Sequence, residues 1–185
     1  MDSKRLPLRG MVFASLFGAV TALGAYISIP LQPVPITMQT LFVGLSGALL
    51  GGLFGAISQV VYVLLGVIGL PVFAGGTAGP GILLGPSGGY LFGFIAGAFV
   101  VGKLLEIKKD PGLIWIIFSL VAGTIVIYGF GLLQLSLVAR LSLLKALLVG
   151  AAPFWPGDLL KTIAAALIIL KVRHKINLPG AKRDL

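Results

Sequence analysis

Asp158 and Lys161 are the only ionisable side chains clearly inside, rather than at the end of, any long apolar segment of this 185-residue chain. They belong to Pro153-Phe154-Trp155-Pro156-Gly157-Asp158-Leu159-Leu160-Lys161, which opens the last such segment. Three residues apart on a helix, they share one face and can share a ligand or each other. A charge at the centre of a membrane helix costs roughly 2.5–3.5 kcal/mol on insertion scales, so each implies a functional site. Ionised Asp only accepts hydrogen bonds and ionised Lys only donates them. Together they suit a small polar molecule carrying N–H groups beside a carbonyl or carboxylate. Phe154, Trp155 and Tyr90 would supply flat apolar walls. The plainer alternative places Asp158 in the first helical turn behind Pro156, where the helix dipole favours it, with Lys161 snorkelling outward or neutralising it.

Such a pair must be positioned by membrane helices. Hydrophobic residues make up 58% of the chain and charged residues 10%, against about 25% charged in a soluble domain. The composition defines a single, all-α integral membrane domain. The 27 glycines fit helices that approach closely through small residues. Cysteine is absent, which removes disulfides, iron–sulfur clusters and thiol nucleophiles.

Six apolar segments are expected to cross the bilayer, at about residues 10–29, 36–50, 53–69, 90–105, 113–133 and 155–170. The first is long enough to remain as a span rather than serve as a cleaved signal. Its small residues Ala14, Gly18 and Ala22 form a stripe suited either to packing inside the bundle or to docking a separate membrane subunit. Pro30, Pro33 and Pro35 then interrupt the helix. The second segment is short for a full crossing and so is expected to be tilted or partly re-entrant. Thr37, Gln39 and Thr40 lie at its start, with Gln39 a buried-amide candidate on the same membrane surface as Asp158. Gly51-Gly52 forms the turn into the third segment. The uncharged, Gly-rich stretch 71–89 is expected to fold over the bundle as a lid or to line a cavity, its glycine amides available to a ligand. Residues 134–150, which include Ser136, Arg140, Ser142 and Lys145, read as an interfacial amphipathic helix or a prolongation of the fifth span.

With six spans, both termini share one side. That side carries Lys4, Arg5, Arg9, Lys103, Lys108, Lys109, Lys171, Arg173, Lys175, Lys182 and Arg183, eleven of the fourteen Lys and Arg residues. The positive-inside rule puts both termini in the cytoplasm of a multi-pass cell-membrane protein. The net charge of +9 then sits on anionic headgroups and needs no nucleic acid. Gln39, Tyr90, Trp155, Asp158 and Lys161 can converge near the outer surface, with Asp158 about one helical turn into the membrane and Lys161 about two.

Other chemistries find no residues. The single histidine, His174, stands in the basic tail, and no carboxylate–histidine cluster could hold a metal. No Ser/His/Asp set lies together. Gly157-x-x-x-Lys161-Thr162 fails as a phosphate loop because Leu160 precedes the Lys and no Gly-rich strand-to-helix loop exists. No cofactor is implied, and ATP-driven work would need an energy source elsewhere.

Four stretches, in order, carry a family resemblance: Pro33-Val34-Pro35-Ile36-Thr37-Met38-Gln39-Thr40-Leu41, Gly69-Leu70-Pro71-Val72-Phe73-Ala74-Gly75-Gly76, Gly85-Pro86-Ser87-Gly88-Gly89-Tyr90 and Pro156-Gly157-Asp158-Leu159-Leu160-Lys161. They resemble the BioY family, the biotin-binding S components of energy-coupling factor (ECF) transporters, over essentially the whole chain. The resemblance implies a six-helix S-component bundle with biotin held near the outer face. It also implies partners: a transmembrane coupling subunit and two cytoplasmic ATPases. Carried over, Asp158 and Lys161 would hold the ureido head of biotin, with Gln39, Tyr90, Gly75 and Gly76 as further contacts. The stripe at Ala14, Gly18 and Ala22 resembles the docking face described for S components. The alternatives are a stand-alone secondary carrier for biotin or a similar carboxylate, a lipid-acting enzyme, and a purely structural subunit.

Overall fold

The computed structural model describes residues 8–173. Lys4, Arg5, His174, Lys175, Lys182 and Arg183 lie outside the described residues. The chain opens with helix α1 (Leu8–Tyr26). Two short antiparallel strands follow, β1 (Ser28–Ile29) and β2 (Ile36–Thr37), with Ser28 opposite Thr37. The prolines between them lack the amides that a helix needs, so this segment closes as a hairpin instead.

The run Gln39–Val67 is helical except at Gly51, where φ is 82° and ψ is 173°. Gln39 hydrogen-bonds Tyr62, and Gln59 Nε2 lies 3.1 Å from Ser46 Oγ. A straight helix would hold those pairs roughly 35 and 20 Å apart. The run is therefore two antiparallel helices, α2 (39–50) and α3 (52–67), reversed at a backbone angle that only glycine adopts without strain. The second span starts at Gln39 rather than 36 because Ile36 and Thr37 pair with β1. Helix α4 (Gly88–Ile107) and helix α5 (Leu113–Val138) come next. The expected interfacial helix at 134–150 divides: its first residues prolong α5, and the rest form the short helix α6 (Leu143–Gly150). Arg140 turns the chain between them at φ 52°, and Ser142 caps α6 by accepting from the Lys145 amide. Helix α7 (Trp155–Arg173) ends the described chain.

Among the described residues five helical stretches are long and apolar enough to cross a bilayer; one of them, Gln39–Val67, folds back as the α2–α3 hairpin, whose two arms are each shorter than a full crossing. Helix α4 packs between that hairpin and α5, α1 lies against the hairpin, and α7 closes on α2 and α5. The α4–hairpin contact is backbone to backbone: a Cβ on Gly102 would lie 2.2 Å from the Gly52 nitrogen. Large apolar residues such as Leu16, Leu64, Ile114, Phe118 and Leu137 face outward, an exposure that only lipid would tolerate over so wide an area.

The stripe Ala14, Gly18 and Ala22 is buried inside the bundle. A Cβ on Gly18 would sit 3.0 Å from the Ser58 carbonyl of α3. The docking expectation for these three residues is therefore corrected: their close approach is spent on the chain's own hairpin. Deeper on the same interface, Gln59 Nε2 lies within 3.0–3.3 Å of Thr21, Ser46 and Ser58 hydroxyls. At the charged end, Arg173 and Trp115 donate to the Leu105 and Leu104 carbonyls that close α4. Glu106 there accepts from the Gly52 amide and pairs with Lys103.

Candidate binding site

The opposite end of the bundle holds a cavity of about 210 Å3. The starts of α2, α4 and α7, the middle of α5 and the 71–89 loop all contribute to its wall. Its polar end is the pair carried by the first two turns of α7. Lys161 Nζ lies 3.2 Å from Asp158 Oδ1 and 3.2 Å from Thr40 Oγ1. The two side chains are only 10% and 13% exposed. Tyr128, midway along α5, donates its hydroxyl to Asp158 Oδ2. An ammonium has three donors and a carboxylate about four acceptor positions. Each group therefore keeps capacity for a ligand offering N–H beside C=O.

Around this pair the walls are aromatic. The Tyr90 ring meets Tyr128 edge-on at 6.3 Å, and Phe154 stacks on Tyr128 at 6.4 Å. The Tyr90 hydroxyl donates to the Gly150 carbonyl at 2.8 Å, so Tyr90 serves the cavity as a wall. Gln39 also lines the cavity, but its amide works within the fold. Its Oε1 accepts from Thr37 at 2.8 Å, and its Nε2 donates to Tyr62, which donates in turn to the Val72 carbonyl. That chain fixes the mouth of α2 against α3 and the loop.

The 71–89 loop lines the cavity with Phe73, Ala74, Thr77, Ile82 and Ser87, the second of the two expectations for it. Phe73 is fully buried and packs edge-on against Tyr62 at 5.7 Å. A Cβ at Gly66 would overlap its ring at 2.1 Å, so the missing side chain on α3 makes the socket. Gln134 of α5 donates to the Leu83 and Gly85 carbonyls at 2.7 and 2.8 Å, and Gly79 donates to the Gly66 carbonyl at 2.8 Å. These bonds pair loop backbone groups with α3 and α5 and so fix the loop to the bundle.

Two expectations are corrected here. Trp155 is 63% exposed and does not line the cavity. Its neighbour Phe154 points inward, and the next position around a helical turn faces away. Gly75 and Gly76 do not line the cavity either. Both adopt positive φ, and the Gly76 amide donates to the Phe73 carbonyl. They shape the turn that delivers Phe73, Ala74 and Thr77 to the wall. Conversely, Tyr128, Thr124 and Phe73 were missed as site residues. For Tyr128 the available signal was a phenol midway along a largely apolar span.

The fold and this cavity define a polytopic helical membrane protein with a small-molecule site buried near one end of its bundle. Among the described residues no group of His, Asp or Glu could hold a metal. Comparison with known proteins then places it: the chain belongs to the BioY family, whose family model matches residues 1–177. It is 46% identical over 166 residues to the biotin transporter BioY of Thermotoga maritima, covering 90% of this chain and 96% of that protein. It is 41% identical over 170 residues to the biotin transporter BioY of Rhizobium etli, covering 86% and 90%. A solved S component for biotin from an ECF-type ABC transporter superposes with a TM-score of 0.87 at 27% identity, covering 99% of this chain and all of that one.

Proposed function

We propose that this chain is the biotin-binding S component of an ECF transporter: it captures biotin from outside the cell and performs no catalysis itself. The observation that carries this reading is the polar end of the cavity, where Asp158, Lys161, Tyr128 and Thr40 form one hydrogen-bonded group beside aromatic walls. A ureido group offers two N–H donors and one carbonyl acceptor. Asp158 accepts from the N–H groups, and Lys161 donates to the carbonyl. Phe73, Tyr90 and Phe154 receive the apolar remainder of the molecule.

The cavity faces the outside and both termini face the cytoplasm. Charge supports this orientation: Arg9, Lys103, Lys108, Lys109, Lys171 and Arg173 lie at the end away from the cavity, whereas Arg140 and Lys145 lie at the cavity end. Import is driven by partners, a transmembrane coupling subunit and two cytoplasmic ATPases. The sequence has no phosphate-binding loop of its own, which fits a subunit energised from outside.

Calorimetric titration of biotin into the detergent-purified protein tests the proposal. Saturable binding that is lost in Asp158→Asn and in Lys161→Met is expected. Absence of binding to the wild type would overturn it.

A further inference from the structure

A second, smaller cavity of about 20 Å3 touches the same ion pair. Asp158, Lys161, Thr40, Thr124 and Ile127 border both cavities. The remaining walls of the small one come from Leu41, Val43 and Gly44 on α2, Gly97 and Val101 on α4, Leu120 and Gly123 on α5, and Thr162 and Ala165 on α7. Every one of these lies further along its helix toward the charged end than the residues lining the large cavity. The ion pair is therefore a partition, with ligand space on one side and a small chamber on the other.

The chamber's size and lining decide its occupant. One water needs about 10–15 Å3 of such space and two to four polar partners, and cavities that stay dry are apolar. This chamber offers a carboxylate, an ammonium and three threonines. A metal cation is disfavoured by the Lys161 charge, and anything larger than water does not fit. Two of the three Lys161 donors are directed at Asp158 and Thr40. The Thr124 hydroxyl proton goes to the Leu120 carbonyl at 3.0 Å, which leaves its oxygen free to accept.

We propose that this chamber is a water site, holding one water hydrogen-bonded to the inner face of the Asp158–Lys161 pair, and that this water is part of the ligand site. The functional half of this proposal rests on the biotin reading above. A ligand filling the large cavity strips solvent from the outer face of the pair, and desolvating paired charges is costly unless their remaining hydrogen-bonding positions are filled. Water held behind the pair fills them from within and stands in for direct protein partners. Affinity is thereby set in part by Thr162 and Gly44, residues that line the chamber but not the ligand cavity.

The direct test is a crystal structure of the full chain, with and without biotin, at a resolution that orders internal water. Density in the chamber within about 3.2 Å of Lys161 Nζ or an Asp158 oxygen is expected, and a chamber without density beside an otherwise ordered water structure overturns the site. The functional half is read from titrations of two variants. Thr162→Val keeps the shape and removes a hydroxyl. Gly44→Ala puts a methyl into the chamber's wall, where its Cβ lies 2.8 Å from the tip of the Leu120 side chain. Each is expected to weaken biotin binding roughly tenfold, the equivalent of one lost hydrogen bond, with an unliganded melting temperature close to wild type. Unchanged affinity in Thr162→Val overturns the ligand role even if Gly44→Ala fails to fold. If wild-type protein ignores biotin, the functional half falls with the ligand reading, and the density result still decides the water site.

Discussion

Tyr128 and Asp158 stand thirty positions apart in sequence, on α5 and α7, yet the phenol of one donates directly to the carboxylate of the other. With Lys161 on the second oxygen, the carboxylate is held from two sides and its open positions point into the cavity. Tyr128→Phe deletes that hold while keeping the ring that stacks on Phe154. A hydrogen bond to a charged group contributes about 1.5–3 kcal/mol. Biotin affinity in this variant is therefore expected to fall roughly 10- to 100-fold in calorimetric titration, and the ligand-free melting temperature to fall with it. Undiminished affinity would show that the phenol only fills space.

The ion pair makes a different prediction about stability. Lys161→Met leaves the largely buried Asp158 charge with only Tyr128, whereas Asp158→Asn with Lys161→Met leaves no charge at all. Breaking one side of a buried pair costs about 3–5 kcal/mol, often more than replacing both partners. Ligand-free melts should therefore place the Lys161→Met single variant below the double variant. The reverse order would mean that Asp158 is satisfied by Tyr128 without Lys161.

The loop that lines the cavity is seated in one socket. Gly66→Ala puts a methyl group into the Phe73 ring position, so the ring must leave and the 71–77 turn with it. Release of biotin, followed by stopped-flow displacement, is expected to accelerate at least tenfold. Phe73→Ala should accelerate it too and cost about 3–5 kcal/mol of stability as a large-to-small core change. A release rate untouched by either variant would show that this loop does not retain ligand.

Gln59 offers a test in the opposite direction. Its Nε2 faces three hydroxyls, but its buried Oε1 has no partner. Thr21, Ser46 and Ser58 each already donate to a carbonyl of their own helix. Removing the half-satisfied amide by Gln59→Leu leaves those hydroxyls paired, so the melting temperature should hold or rise. A loss above about 1.5 kcal/mol would show that the amide clamps α1 to the hairpin.

Much of the architecture is local chemistry and could be read from the chain. Six spans follow from apolar length, the reversal at Gly51 from glycine's freedom, and the break after α1 from three prolines. The importance of Asp158 and Lys161 follows from the cost of placing charge among lipid tails. What escaped was everything set by rotation about a helix axis. The same small-residue stripe, Ala14, Gly18 and Ala22, would look alike whether it met another subunit or α3, because packing is decided by the neighbour and not by the stripe. Phe154 and Trp155 are equally aromatic and adjacent, yet one lines the cavity and the other faces outward.

The sequence by itself determined a six-helix membrane protein with one charged pair near one rim, since hydropathy, glycine, proline and charge act over a few residues at a time. Only the tertiary structure decided that α5 brings Tyr128 to Asp158, that α2 brings Thr40 to Lys161, and that glycines on α2, α4 and α5 leave a chamber behind the pair. Those contacts join residues up to 121 positions apart, and their geometry exists only once the helices have chosen their neighbours and turned their faces to them.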